Sequence, residues 1–228
     1  FSGQESGVMH ACGHDTHVAI LMGVAEYLAQ NNDFYGTVKF IFQPAEEGPP
    51  QGEKGGARLM VEEGVLENPK VDAIYGLHIN SATPVGQVRY KSKGIMAAAQ
   101  RFVIDVQGKQ AHGSQPWMSV DPILISAKII DGLQTIISRN SELTKEGAVI
   151  SVGSIHSGIR FNIIPDTARM VGTVRTLDEN MKQKIIKRMQ EMVPQIAAAY
   201  GGTAEIDIFE SAALTYNDPT LTETAVKS

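Results

Sequence analysis

Apolar residues recur along the chain at two periods, and the change from one to the other divides the sequence in two. From Thr16 to about Gln30, Val18, Leu21, Met22, Ala25 and Leu28 return at helical spacing, with Asp15 or Thr16 standing where an N-cap belongs. Asn31-Asn32-Asp33 breaks that helix. Residues 37–43 form a β-rich run stopped by Pro44, and residues 71–77 a mostly apolar run of the kind a strand covered on both faces shows. Between them a short helix is predicted over about 57–63, closed by Gly64 as its C′ residue. Alternating helix and strand predicts a doubly wound α/β layer up to about residue 97.

Beyond that point the rhythm changes. Phe102, Ile104 and Val106 alternate with polar positions, which reads as a half-buried strand. Ile123, Ala127, Ile130, Leu133 and Ile137 then recur at helical spacing, and residues 148–155 and 167–176 read as two strands. Asp178 stands at the N-cap of a second long helix carrying Met181, Ile185, Met189 and Ile196, with Pro194 inside it; Gly201-Gly202 ends it before a last strand at 203–209. The order β-α-β-β-α-β is ferredoxin-like. Helical material resumes at Pro219, so this α+β domain, 98–210, is expected to be inserted into the first one, made of 1–97 and 211–228. The fold class is thus α/β, with a doubly wound domain incomplete in this chain and an inserted ferredoxin-like domain.

Composition narrows the function classes. A net charge of −5 without a clustered basic stripe argues against nucleic acid as a partner. No apolar run reaches bilayer-spanning length, so no membrane partner is expected. A single cysteine forms no internal disulfide, and a cytoplasmic location is expected. Phe1-Ser2-Gly3 is neither an initiator start nor a signal peptide, and the last residues read as a helix cut short; a piece of a longer protein is expected.

The chemistry gathers in residues 10–17, His-Ala-Cys-Gly-His-Asp-Thr-His, directly before the first helix. Three imidazoles, a carboxylate and the only thiol are hard to explain by packing. A helix N-terminus there favours anionic groups, a thiolate included. Cys12 and His14, one residue apart, can point the same way, and too few cysteines are present for a closed structural zinc site. Glu46-Glu47 and His78 each follow the C-terminal end of an expected strand, where open α/β sheets place ligands. Glu47 and His78 can complete a mixed N, S, O set. Adjacent carboxylates in an extended turn project to opposite sides, so one is read as a metal ligand and the other as general base to an activated water. Taken singly, a buried Cys, an ordinary His and a solvated Glu pair are the plainer readings. Their coincidence at three element termini favours a site. His10 is read as a supporting residue, and His17, in the first helical turn, as one that orients a neighbour. The competing chemistry, Cys12 as a nucleophile with a histidine base, leaves Glu46, Glu47 and His78 without a role.

At these residues the chain resembles the M20 metallopeptidase family, in its aminoacylase, hippurate hydrolase and auxin-conjugate amidohydrolase branch. The matching pieces are 9–15 (MHACGHD), 43–48 (QPAEEG), 76–78 (GLH), 108–116 (GKQAHGSQP), 162–165 (NIIP) and 172–175 (GTVR). The resemblance implies a catalytic α/β domain holding two divalent metal ions, zinc first, with manganese, cobalt or nickel as alternatives, and an inserted lid that makes a homodimer. It implies Cys12, His14, Glu47 and His78 as metal ligands, Glu46 as general base, His112 as the oxyanion donor, commonly in the partner subunit's site, and Asn162 and Arg175 as substrate-binding residues. The implied reaction is hydrolysis of an N-acyl amino acid or similar amide conjugate; a carboxypeptidase or dipeptidase, or a non-catalytic dimerisation module with a vestigial metal site, are the alternatives. The branch also has a C-terminal histidine ligand and an early Met-Asp-Ala segment, neither found here, and a shorter turn than the Gly48–Gly56 stretch.

Overall fold

The structure, a computed structural model, describes residues 11–50 and 53–228, so His10 lies outside the described residues. The chain divides between Arg89 and Tyr90 into two compact units.

In the first unit, α1 spans His14–Gln30 and α2 spans Gly56–Glu62. The expected cap of α1 shifts upstream. Gly13, in the left-handed region, is the N-cap, and the Thr16 hydroxyl instead donates to the Gly13 carbonyl at 2.6 Å. α2 ends as predicted on Gly64 (φ +83), where the Val65 N–H reaches the Met60 carbonyl and the Gly64 N–H that of Val61, the paired bonds of a Schellman cap.

The two expected strands of this unit differ from the prediction. Residues 37–43 and 71–77 form no ladder. A strand exists only with a hydrogen-bonded neighbour, and none stands beside either run among the described residues. Lys39 holds the first run in place instead, donating to the Val65 and Glu67 carbonyls at 2.9 and 2.7 Å. The apolar side chains that should lie inside a covered sheet remain exposed, Ile74 at 64% and Leu77 at 54%. α1, apolar over most of its surface, buries none of its residues.

The second unit carries β1 (Lys93–Met96), β2 (Ala98–Gln107), β3 (Ala111–His112), α3 (Pro122–Asn140), β4 (Ala148–Ser157), β5 (Ile163–Ile164), β6 (Thr167–Thr176), α4 (Glu179–Ala199), β7 (Thr203–Ala212), β8 (Thr215–Asn217) and α5 (Pro219–Lys227). Its sheet is antiparallel in the order β4-β6-β2-β7, the ferredoxin-like arrangement expected. Both long helices start on the aspartates that the sequence marks. Asp121 accepts from the Ile123 and Leu124 amides, and Asp178 accepts from Met181 at 2.8 Å. Phe102, Ile104, Val106, Met170 and Val174 on the sheet meet Ile125, Ile129, Leu133 and Ile136 of α3 and Ile185, Met189 and Val193 of α4. The buried Lys182 ammonium joins α4 to β7 through Glu210, at 3.0 Å.

β1 and β8, the strands leading into and out of the four-stranded sheet, pair with each other, Lys93 opposite Asn217, and stay with the sheet's unit.

Candidate metal centre and lid residues

Gly13 is the pivot of the first cluster. At φ +86 it reverses the chain between Cys12 and His14, and a Cβ there would meet Ile79 Cγ2 at 2.5 Å. The turn lets both neighbours face the same way, and it lets the segment after His78 press against the start of α1. Cys12 Sγ, a His14 ring nitrogen and a Glu47 carboxylate oxygen all lie within 4.8 Å of one another. Zinc takes such donors at about 2.0–2.3 Å in a tetrahedral arrangement, which sets two of them roughly 3.3–3.8 Å apart. The sulfur, nitrogen and oxygen set therefore suits one divalent ion once the side chains close in by up to roughly 1–1.5 Å. His78 approaches from the thiol side, its Nε2 3.7 Å from Cys12 Sγ.

Glu46 and Glu47 occupy the centre of a turn closed by the Gly48 amide on the Ala45 carbonyl at 3.1 Å, with Ala45 itself at φ +50. The expected divergence of the two carboxylates does not occur, because the backbone here is a tight turn rather than extended. Both carboxylates approach His14 Nε2, Glu46 at 3.2 Å and Glu47 at 3.7 Å. One carboxylate can then join a metal set while the other sits beside it.

Two histidines are fixed by the backbone of one residue, Ile79. A carbonyl only accepts, so the 2.6 Å contact between His78 Nδ1 and the Ile79 oxygen puts the proton on Nδ1 and leaves the Nε2 lone pair facing the cluster. An amide N–H only donates, so the Ile79 amide, 2.9 Å from His17 Nε2, occupies that nitrogen's lone pair. The His17 ring also meets the His78 ring edge-on at 5.0 Å between centroids. Desolvation first, then the His78 and His14 rings, push the His17 imidazole below its ordinary value, which keeps it neutral and able to accept. His17 is thus no ligand candidate through Nε2, in keeping with an orienting role.

The Cys12 thiol is pushed up, by desolvation first and then by the Glu47 and Glu46 carboxylates. This corrects the expectation that the helix N-terminus favours a thiolate: desolvation, with two nearby carboxylates, outweighs the helix end. It also counts against the thiol-nucleophile alternative.

In the second unit, the short pairing of β3 with β5 sets His112 opposite Ile163, and the Gly113 amide donates to the Asn162 carbonyl at 2.8 Å. The Ser114 amide donates to His112 Nδ1 at 3.2 Å, so the ring proton resides on Nε2, which lies 3.5 Å from Asn162 Nδ2. Two N–H donors thus stand side by side. Ser114, whose Oγ also lies 2.7 Å from Nδ1, was not singled out by sequence; its spacing of two from His112 was the available signal. Arg175 is not brought to this pair. It is exposed on β6 between the buried Val174 and Thr176, eight residues beyond Thr167, or roughly 27 Å along a strand at about 3.4 Å per residue.

Among the described residues, no helix is long and apolar enough to cross a membrane. The whole chain, residues 1–228, matches the model of peptidase family M20/M25/M40. It is 43% identical over 229 residues to "Thermostable carboxypeptidase 2" of Saccharolobus solfataricus, covering 100% of this chain and 57% of that protein. It is 41% identical over 226 residues to "N-acetylcysteine deacetylase" of Bacillus subtilis, covering 99% of this chain and 57% of the relative. Among solved structures it resembles the Bacillus subtilis YXEP protein, described as a dinuclear metal binding peptidase from the M20 family, with a TM-score of 0.77 and 38% identity over 97% of this chain and 54% of that one. The chain thus spans little more than half the length of these relatives.

Proposed function

The chain belongs to peptidase family M20/M25/M40, and from that premise we propose that the whole protein is a metal-dependent amidohydrolase cleaving N-acyl amino acids, or similar amide conjugates, to a carboxylic acid and an amino acid. The observation that carries this reading is the convergence of Cys12, His14 and Glu47 donor atoms within 4.8 Å, with a second carboxylate, Glu46, at the same imidazole. Cys12, His14, Glu47 and His78 are the residues that would hold divalent metal, zinc first, two ions per site in line with the dinuclear relative. Metal bound there supplies Lewis acidity and lowers the pKa of water to about 7. Glu46 takes the proton from the attacking water and delivers it to the leaving nitrogen. His112 Nε2–H and the Asn162 amide offer donors to the negative charge that develops on the scissile carbonyl, where one such donor is worth about 3–4 kcal/mol. Arg175 presents a guanidinium fork to the free carboxylate of the amino acid.

The domain assignment that goes with this reading is a catalytic domain from 1–97 and 211–228 and a lid from 98–210 that joins two copies. The distance along β6 between Arg175 and the His112–Asn162 ribbon supports a site shared by two lids, since one lid carries the two groups at opposite ends of a strand. The "N-acetylcysteine deacetylase" relative favours acyl removal. The carboxypeptidase relative supports peptide-bond cleavage as a second reading. The full-length protein should lose activity to a chelator, recover it with zinc or manganese, and prefer a panel of N-acyl amino acids to dipeptides. Chelator-resistant turnover would overturn the reading, and a preference for peptides would move it to the carboxypeptidase alternative.

A further inference from the structure

Ile79 is the residue on which three separate constraints meet. Its N–H donates to His17 Nε2 at 2.9 Å, its carbonyl accepts from His78 Nδ1 at 2.6 Å, and its Cγ2 fills the space that the missing Gly13 Cβ leaves. A histidine whose Nδ1–H is held by a carbonyl can offer only Nε2 as a ligand, and Nε2 of His78 is the nitrogen that faces Cys12 Sγ. That carbonyl is useful only where it stands still. His78 itself is exposed, and the bond from the Ile79 amide to His17, on the first turn of α1, ties this segment to the helix that carries His14.

From this geometry we infer that His17 is a positioning residue: by accepting from the Ile79 amide, it fixes the residue whose carbonyl commits His78 to its Nδ1–H tautomer and aims Nε2 at the metal. The inference rests on the metal-site reading above but concerns a residue that binds no metal and touches no substrate. The edge-on packing of the His17 and His78 rings steadies the same arrangement. An acceptor at the position of Nε2 is what the site needs, and a glutamine amide oxygen can supply it. A phenylalanine of similar volume cannot.

The test uses the full-length protein labelled with nitrogen-15 in histidine and isoleucine. In metal-free wild type, a trans-hydrogen-bond coupling should connect the Ile79 amide nitrogen to His17 Nε2, and the His78 ring should show a single Nδ1–H tautomer. His17→Phe should abolish the coupling, mix the His78 tautomers, and weaken zinc binding, measured by chelator competition, ~10–100-fold, the usual effect of losing a group that orients a ligand. His17→Gln should keep one His78 tautomer and most of the zinc affinity. Absence of the wild-type coupling overturns the inference, and that readout stands even where His17→Phe does not fold. It is also overturned by a phenylalanine variant that keeps the tautomer and the affinity, or by a glutamine variant as impaired as phenylalanine, which would make the role one of packing. Wild-type protein that shows the coupling but binds no metal would refute the proposed function and leave the hydrogen-bond geometry standing.

Discussion

Gly13→Ala is the substitution whose effect the geometry fixes most tightly. It adds one methyl group at φ +86, in the left-handed region, and aims it at Ile79 Cγ2 from 2.5 Å. The backbone strain costs about 1–2 kcal/mol. Carbon atoms in contact sit at about 3.5–4.0 Å, so Ile79 or the turn must retreat by roughly 1.0–1.5 Å. Ile79 is bonded through its carbonyl to His78 and through its amide to His17, so the retreat moves a ligand against its partners. Disturbing such an orienting contact typically weakens metal binding ~10–100-fold, or about 1.4–2.7 kcal/mol. Gly36→Ala is the matched control. Gly36 also has a positive φ, +113, but nothing lies within 4 Å of its added Cβ, so it shares the strain and not the collision. Zinc affinity by chelator competition, with thermal unfolding alongside, should show the loss in Gly13→Ala alone. Wild-type affinity in Gly13→Ala, or an equal loss in Gly36→Ala, would refute the reasoning.

Two further outcomes follow from the same structure. Because Cys12 is held protonated to higher pH than an ordinary thiol, a metal bound through its sulfur must displace a proton below that raised pKa. Zinc affinity should therefore rise with pH, by about tenfold per unit for one displaced proton, and flatten once the thiol ionises; a pH-independent dissociation constant would exclude Cys12 as a ligand. In the second unit, Gln100 is buried with neither amide atom hydrogen-bonded, so Gln100→Met should raise stability by about 1–2 kcal/mol in a denaturant titration, and a loss would show the amide to be satisfied.

The ferredoxin-like unit was readable in sequence because it closes on itself. The even-numbered residues of β2 bury as their alternation requires and each helix starts at its own aspartate, so pattern and packing agree there. On α3 the helix was legible but its inner face was not: the buried stripe is Ile125-Ile129-Leu133-Ile136, while Ile123 and Ala127 of the expected set are exposed and only Leu133 of that set is fully buried, because apolar residues surround much of this helix. The first unit was less readable for the opposite reason. The pattern at 37–43 and 71–77 specifies strands, but a strand is made by its neighbours, and those runs stand without a ladder among the described residues. At the site, residue types were legible and their directions were not. Cys12, His14 and Glu47 were foreseen as a group, whereas the turn that sends Glu46 and Glu47 to one imidazole depends on Ala45 at φ +50, which alternating side chains do not encode. Ile79 drew no notice because an apolar residue acting through its backbone N–H and carbonyl leaves no chemical mark in a sequence.

The account turns on the division of labour between two adjacent carboxylates, and Glu46→Gln in the full-length protein tests it most directly. Glutamine keeps the shape of the side chain and removes its ability to take a proton. Metal content should stay near that of the wild type while turnover of N-acyl amino acids falls by at least about 10²–10⁴-fold, the usual contribution of a general base. Retained turnover, or loss of metal along with activity, would contradict the assignment of Glu46 as the base and Glu47 as the ligand.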